Sequence, residues 1–182
     1  MPKFGYTDAF NHRLNDKIVV VDARDSLPTC KNGKQYKKRE IHRIKGICIH
    51  HFGGDQSIES VAKHYTSPNN RFSHQAIESI PYTYCIDKNG LLHCCNDIEK
   101  VVWSQGTKLF DGDENADYLS IAIQGNFNKK TPNLDIMFSL LAFIKEAKYF
   151  FSFGNDGIKG HYNFGKEQCP GIHIESFLKY LQ

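Results

Sequence analysis

A chain of 182 residues with 40% hydrophobic and 13% aromatic side chains is long and apolar enough for one globular domain with a real core. Its 23 Lys and Arg against 20 Asp and Glu leave a net charge of +3, too mild to argue for a nucleic-acid partner. No run of about 18 apolar residues occurs, so no membrane insertion is expected, and Asp8, His12, Arg13, Asp16 and Lys17 interrupt the stretch where a secretory signal needs an apolar segment.

In chain order, Lys17 to Ala23 reads as a strand, followed by a polar loop through Pro28 and Gly33 that ends near Ile41. The basic run Lys31, Lys34, Lys37, Lys38 and Arg39 reads as a solvated part of that loop. Gly46 to His50 is apolar on both faces, the mark of an internal strand. After the Gly53-Gly54 break, Ser57 can cap a short amphipathic helix that runs to Tyr65. Tyr82 to Ile86 and Leu91 to Cys95 flank Asp87-Lys88-Asn89-Gly90, whose Asn-Gly pair predicts a β-hairpin.

A Gly/Asp-rich loop from Gly106 to Ala116 then leads into a strand from Tyr118 to Gln124. There the period changes: Thr131 can cap and Pro132 can open a helix to about Phe151, with Met137, Leu140, Leu141, Ile144 and Phe151 as its apolar stripe. A last helix is expected from Ile174 to Leu181. Strands mixed with helices and one hairpin predict an α/β fold, a central mixed β-sheet flanked by helices. Residues 1–40 are expected to be an extension, strand and loop, packed on the domain that spans 41–182.

Six cysteines (Cys30, Cys48, Cys85, Cys94, Cys95, Cys169) would suit a disulfide framework in a short secreted domain, but without a secretory signal reduced thiols are the default. Cys94, Cys95 and His93 read as packing, because neighbours on a strand diverge.

The chemically informative pieces are His161 and Cys169, eight residues apart in a turn-rich loop, and the pair His50-His51 at the end of an apolar strand. Imidazole and thiolate are good zinc ligands, and three protein ligands leave a fourth position for water. Successive strand residues point to opposite faces, so only one of the two adjacent histidines can easily face an ion.

The ordered motifs carry a resemblance. Ile49-His50-His51, Tyr82 ahead of Tyr84-Cys85-Ile86 and the Asp87–Gly90 turn, Val102-Trp103 followed by Gly106, the strand Ser120 to Phe127, Gly160-His161 and Cys169-Pro170-Gly171 occur in sequence order. Together they resemble the zinc-dependent N-acetylmuramoyl-L-alanine amidases of the type 2 amidase and peptidoglycan-recognition-protein superfamily. The resemblance implies that superfamily's fold over 41–182, Zn2+ held by His50, His161 and Cys169, and Tyr82 as donor to the oxyanion formed when water attacks the amide. It implies bacterial peptidoglycan as partner, with His51, Trp103 and Lys166 as substrate-binding candidates and a monomer as the working state.

The chain departs from the family pattern in three places. Many relatives carry a glutamate base in a strand reading Ile-Gly-Ile-Glu-Leu-Glu-Gly, and Ala122 stands there. Others place lysine, arginine or threonine two residues before the metal-binding cysteine, where this chain has Glu167. Ser104 follows the tryptophan where relatives often have histidine. Glu167 is therefore the expected base or orienting group. The expected role is that of a phage or prophage endolysin, made in the cytoplasm and acting on the wall after release, with a wall-binding domain beyond this chain. A muropeptide-recycling amidase and a non-catalytic recognition module are the alternatives.

Overall fold

A computed structural model of the protein describes residues 5–68, 75–105 and 113–181. The chain opens with α1 (Tyr6–Asn15), β1 (Val20–Asp22) and β2 (Lys37–Lys38), then enters β3 (Gly46–His51) and α2 (Ile58–Tyr65). The hairpin β4 (Tyr84–Ile86) and β5 (Leu92–Cys94) follows, with β6 (Lys100–Val101), the short α3 (Glu114–Asp117), β7 (Tyr118–Ile123), α4 (Leu134–Phe151), β8 (Ile158–Gly160) and α5 (Ile172–Leu181).

Six strands form one mixed sheet in the order β1-β5-β4-β7-β3-β8, in which only the β4–β5 hairpin pair is antiparallel. Alternation along the strands gives the sheet two different faces. Ile47 and Ile49 of β3, Tyr84 and Ile86 of β4, and Ile121 and Ile123 of β7 join Phe10 and Leu14 of α1, Phe143 and Ile144 of α4, and Leu178 of α5 in the main core. On the other face Cys85, Cys95 and Ala122 pack against Ile58 and Ala62 of α2. One short helix covers that face only in part, and the cleft opens beside it.

Several sequence expectations change. The first helix was not anticipated, because its inward face mixes Phe10 and Leu14 with buried Thr7 and Asn11. Those polar groups have specific partners: Thr7 Oγ1 donates to Glu99 Oε2 at 2.7 Å, and the Tyr84 hydroxyl donates to Asn11 Oδ1 at 2.7 Å. The strand expected over Lys17–Ala23 shrinks to Val20–Asp22 at the sheet edge. In α4 the cap is Asn133 rather than Thr131, and Pro132 precedes the helix instead of opening it. Asn133 Oδ1 accepts from Ile136 N while its Nδ2 donates to Lys88 O, tying the helix start to the hairpin turn. Leu141 leaves the expected stripe and is 43% exposed; the buried row is Ile136, Leu140, Phe143, Ile144 and Ala147.

Ser57 caps α2 as expected, accepting from Ser60 N at 3.1 Å. At the hairpin only Gly90 takes a positive φ, 83°, so the turn is a type I turn closed by a left-handed glycine, not one with both central residues left-handed. The loop expected from Gly106 to Ala116 lies largely outside the described residues. All six cysteines are free thiols. Among the described residues no helix is long and apolar enough to cross a membrane.

Because Phe10 is fully buried between Tyr84, Phe143, Phe150 and Phe151, Phe10→Ala is expected to lower stability by about 3–5 kcal/mol in denaturant titration. A change below about 1 kcal/mol would show that α1 is dispensable to the core.

Candidate metal centre and cleft

Parallel pairing does most of the work of assembling the site. Ile49 of β3 lies opposite Gly160 of β8, so the chain leaves β8 with His161 beside His50. The two imidazoles meet with Nδ1 atoms 3.0 Å apart, and Cys169 Sγ lies 4.0 Å from His50 Nδ1. All three donor atoms fall within 4.8 Å of one another. Tetrahedral zinc with bonds of about 2.0–2.3 Å separates its N and S donors by roughly 3.3–3.6 Å, a range these spacings bracket.

Backbone groups orient two of the donors. His161 Nε2 is 2.9 Å from Gln105 O, so it carries the proton and leaves the Nδ1 lone pair facing the cluster. His51 N–H donates to Cys169 Sγ at 3.4 Å, a contact suited to a thiolate. His50 Nε2 is buried without a hydrogen-bond partner among the described residues. Burial holds His50 well below 6.5 and His161 down at about 4, so both are neutral ligands. Burial also pushes the Cys169 thiol up to about 12, and only a nearby cation would let it ionise near neutrality. Two neutral nitrogens and one sulfur that needs a positive neighbour suit zinc better than a hard, oxygen-seeking cation.

The loop between the two ligands is held on both sides. His161–Phe164 forms a 3-10 turn that Gly165 ends at φ 83°, and Cys169 N donates to Lys166 O. Asn128 braces the far end, donating through Nδ2 to Gln168 O and accepting from Ile172 N. Gly171 is required there: its φ is 99°, and a Cβ would come within 2.5 Å of the Phe127 backbone.

His161 and Cys169 line a cleft of about 1160 Å³ whose walls include Tyr65, Tyr82, Trp103, Lys166 and Glu167. Tyr82 stands over the donors, its ring centroid 5.3 Å from that of His50 and its carbonyl held by Asn96 Nδ2. Burial raises the pKa of its hydroxyl well above 10. Trp103 meets Tyr36 edge-on at 5.1 Å and carries Lys34 Nζ 4.2 Å from its ring centroid. Residues 34 and 36 thus buttress the cleft wall, a role their sequence did not signal.

The expected ligands His50, His161 and Cys169 come together. His51 faces away from the donors, accepting from Phe127 N through Nδ1, yet it still lines the cleft. Lys166 and Glu167 are exposed on the rim, without hydrogen bonds to any donor. Sequence reasoning missed Gln105 O, the His51 N–H and Tyr65; the first two act through backbone atoms, which leave no residue signature.

A family profile described as N-acetylmuramoyl-L-alanine amidase matches residues 40–172. The chain belongs to this amidase family. Among solved structures it is similar to the endolysin N-acetylmuramoyl-L-alanine amidase LysCS from Clostridium intestinale, at 18% identity, covering 90% of this chain and 93% of that one with a TM-score of 0.64. The Drosophila peptidoglycan recognition protein SD aligns with a TM-score of 0.67 at 17% identity, covering 89% and 93% of the two chains. A Tyr→Phe variant of Drosophila PGRP-LB, in complex with tracheal cytotoxin, aligns at 11% identity over 86% of this chain and 91% of its own, with a TM-score of 0.62. A search of curated proteins finds no match.

Within the amidase fold, Ala122 pairs directly with His50 on one side and Cys85 on the other. Ala122 therefore stands beside the His50 donor, and its methyl packs into the apolar cluster with Ile58, Ala62 and Ile80.

The histidine environment sets a pH dependence. An unfolded histidine titrates near 6.5, whereas burial holds His161 at about 4 and His50 well below 6.5. The unfolded chain binds more protons in that window, so the metal-free protein is expected to lose stability as pH falls from about 6.5 towards about 4. Thermal unfolding after chelation at about pH 7.5 and about pH 5 checks this, and His161→Gln should flatten the difference.

Proposed function

We propose that this protein is a zinc-dependent amidase that hydrolyses the bond between the lactyl group of N-acetylmuramic acid and the amino group of L-alanine in bacterial peptidoglycan, in the role of an endolysin. The observation that carries this reading is the meeting of His50, His161 and Cys169 in a cleft whose wall holds Tyr82. Likeness to a Clostridium endolysin amidase over 90% of the chain supports the lytic role. An enzyme in that role would be made in the cytoplasm and reach the wall once the membrane is opened.

His50 Nδ1, His161 Nδ1 and Cys169 Sγ would hold the metal. Zinc, when bound, supplies Lewis acidity that acidifies a water and polarises the scissile carbonyl. Neutral imidazoles at His50 and His161 leave most of the cation's charge uncancelled, and the His51 N–H steadies the Cys169 thiolate. Tyr82, protonated at any physiological pH because burial raises its pKa, donates to the oxyanion that forms on the carbonyl oxygen.

Ala122 cannot accept the proton that the attacking water gives up. Among the described residues Glu167 is the carboxylate on the cleft rim, and it takes that role, returning the proton to the departing amine. Lys166 beside it faces the carboxylates of the stem peptide, and Trp103 and His51 line the path of the chain being cut. Ala122 also favours one second reading, a recognition module that binds peptidoglycan without cleaving it.

Incubation with purified cell wall separates the readings. New amino groups without new reducing ends, abolished by chelation, are expected of the amidase. Binding with neither product would establish the recognition module, and new reducing ends would overturn both. Tyr82→Phe is expected to lower kcat by roughly 10²–10³ with the metal still bound. Glu167→Gln should remove the acid limb of the pH–rate profile; an unchanged limb excludes Glu167 as base.

A further inference from the structure

We propose that Lys34, held against Trp103, forms a carboxylate-accepting subsite on the cleft wall, so that the segment before the family-matched region helps select an anionic peptide stem. This deepens the amidase reading and rests on it for the nature of the substrate.

The segment carrying Lys34 lies N-terminal to residues 40–172, the part matched by the family profile, and it is fastened to the cleft in three ways. Lys34 N donates to Ala76 O at 2.9 Å and Glu78 N donates to Lys34 O at 3.0 Å, which sets Lys34 beside Ile77, a residue of the cleft lining. Gly33 permits that approach, since a Cβ there would come within 2.8 Å of the Ile77 backbone. Tyr36 is anchored by its hydroxyl, which donates to Ser79 O at 2.8 Å, and by its N–H, which donates to Glu78 Oε2 at 2.8 Å. Lastly β2 pairs with β6, Lys37 opposite Val101, and Trp103 follows two residues later.

Trp103 rests on this frame with Tyr36 edge-on against it, and Lys34 Nζ lies 4.2 Å from the centroid of its indole. Attraction to the ring quadrupole restrains the ammonium without neutralising it. Among the described residues no carboxylate comes within ion-pair distance of Lys34, whereas Lys100 is engaged by Glu78 at 2.6 Å. The Lys34 side chain is exposed, which leaves its N–H donors to a ligand. A cation fixed beside a cleft and not neutralised attracts an anion, and the carboxylates of a peptide stem supply one. Because the indole already restrains the lysine, pairing loses less side-chain entropy than at an unrestrained surface lysine.

Trp103 is the only tryptophan of the chain, so its emission reports on this wall. The probe is an alanine-initiated stem peptide without the muramyl group, which has no bond for the amidase to cut, offered with its carboxylates free and with all of them amidated. In wild type the free acid is expected to bind at least about threefold more tightly than the amide, read from Trp103 emission. Lys34→Met, an uncharged side chain of similar length, should lower that ratio by about two- to fivefold and change the affinity for the amide by less than about twofold. Lys34→Arg, which returns a cation able to stack on indole, should restore the ratio. No saturable response in wild type, equal affinities for the two peptides, or a ratio that survives Lys34→Met would each overturn the proposal. A ratio lost in Lys166→Met but kept in Lys34→Met would also overturn it, by assigning the carboxylate to the rim lysine.

The two readings fail separately. Amine release from cell wall without discrimination between the peptides removes the subsite and leaves the amidase. Discrimination that depends on Lys34 without amine release removes the amidase reading and leaves a carboxylate-binding wall.

Discussion

One row of residues running across four strands organises this protein. Cys85 of β4 pairs with Ala122 of β7, Ala122 with His50 of β3, and the end of β8 brings His161 alongside His50. Because side chains alternate with a period of two, a slip of one residue in any of these pairings would turn one member of the row to the opposite face. The register is therefore strongly specified. Ile47, Ile49, Ile121 and Ile123 belong to the buried core on the far face, and a slip would expose them to the cleft while burying a histidine among aliphatic side chains. Placement of the metal donors is secured by the same hydrophobic pattern that stabilises the sheet.

The two faces divide the work. The face covered by α1, α4 and α5 holds the large aromatic and aliphatic residues, with Phe10, Tyr84 and Phe143 in mutual ring contact. The other face carries small or weakly polar groups such as Cys48, Ser120, Thr83, Cys85 and Ala122, all fully buried. Small residues there let α2 and the ligand loop approach the sheet closely. The buried cysteines on this floor have thiols that burial keeps protonated, as for Cys48 and Cys95, so they behave as small apolar side chains rather than competing ligands. Cys169 differs from them in its position at the cleft and in the His51 N–H that meets its sulfur.

The chemistry follows from what surrounds the donors. Their burial makes two neutral nitrogens and strongly disfavours a bare thiolate, so the cluster is arranged for a cation and is uncomfortable without one. On the wall above them the polar equipment is aromatic: Tyr82 and Tyr65, with Trp103 nearby. The β7 position beside His50 carries the methyl of Ala122, packed among apolar neighbours, and among the described residues the carboxylate lining the cleft is Glu167, on its exposed rim.

Residue types and their order were enough to read the strand ending in His50, the hairpin, the His161–Cys169 loop and the mixed sheet, because each rests on a local pattern: an apolar run, an Asn-Gly turn, a ligand spacing. The sequence also showed Ala122 to be unable to act as a base. It concealed α1, whose inward Thr7 and Asn11 look solvent-facing until Glu99 and Tyr84 meet them from 92 and 73 residues away. It misplaced the cap of α4, which Asn133 supplies because the hairpin turn lies within its reach. Only the tertiary structure decided which nitrogen of His161 faces the cluster, that the His51 backbone rather than its ring serves Cys169, and that Tyr82 stands over His50. Those contacts join backbone atoms and side chains remote in the chain, and such long-range pairings have no periodicity for a sequence to display.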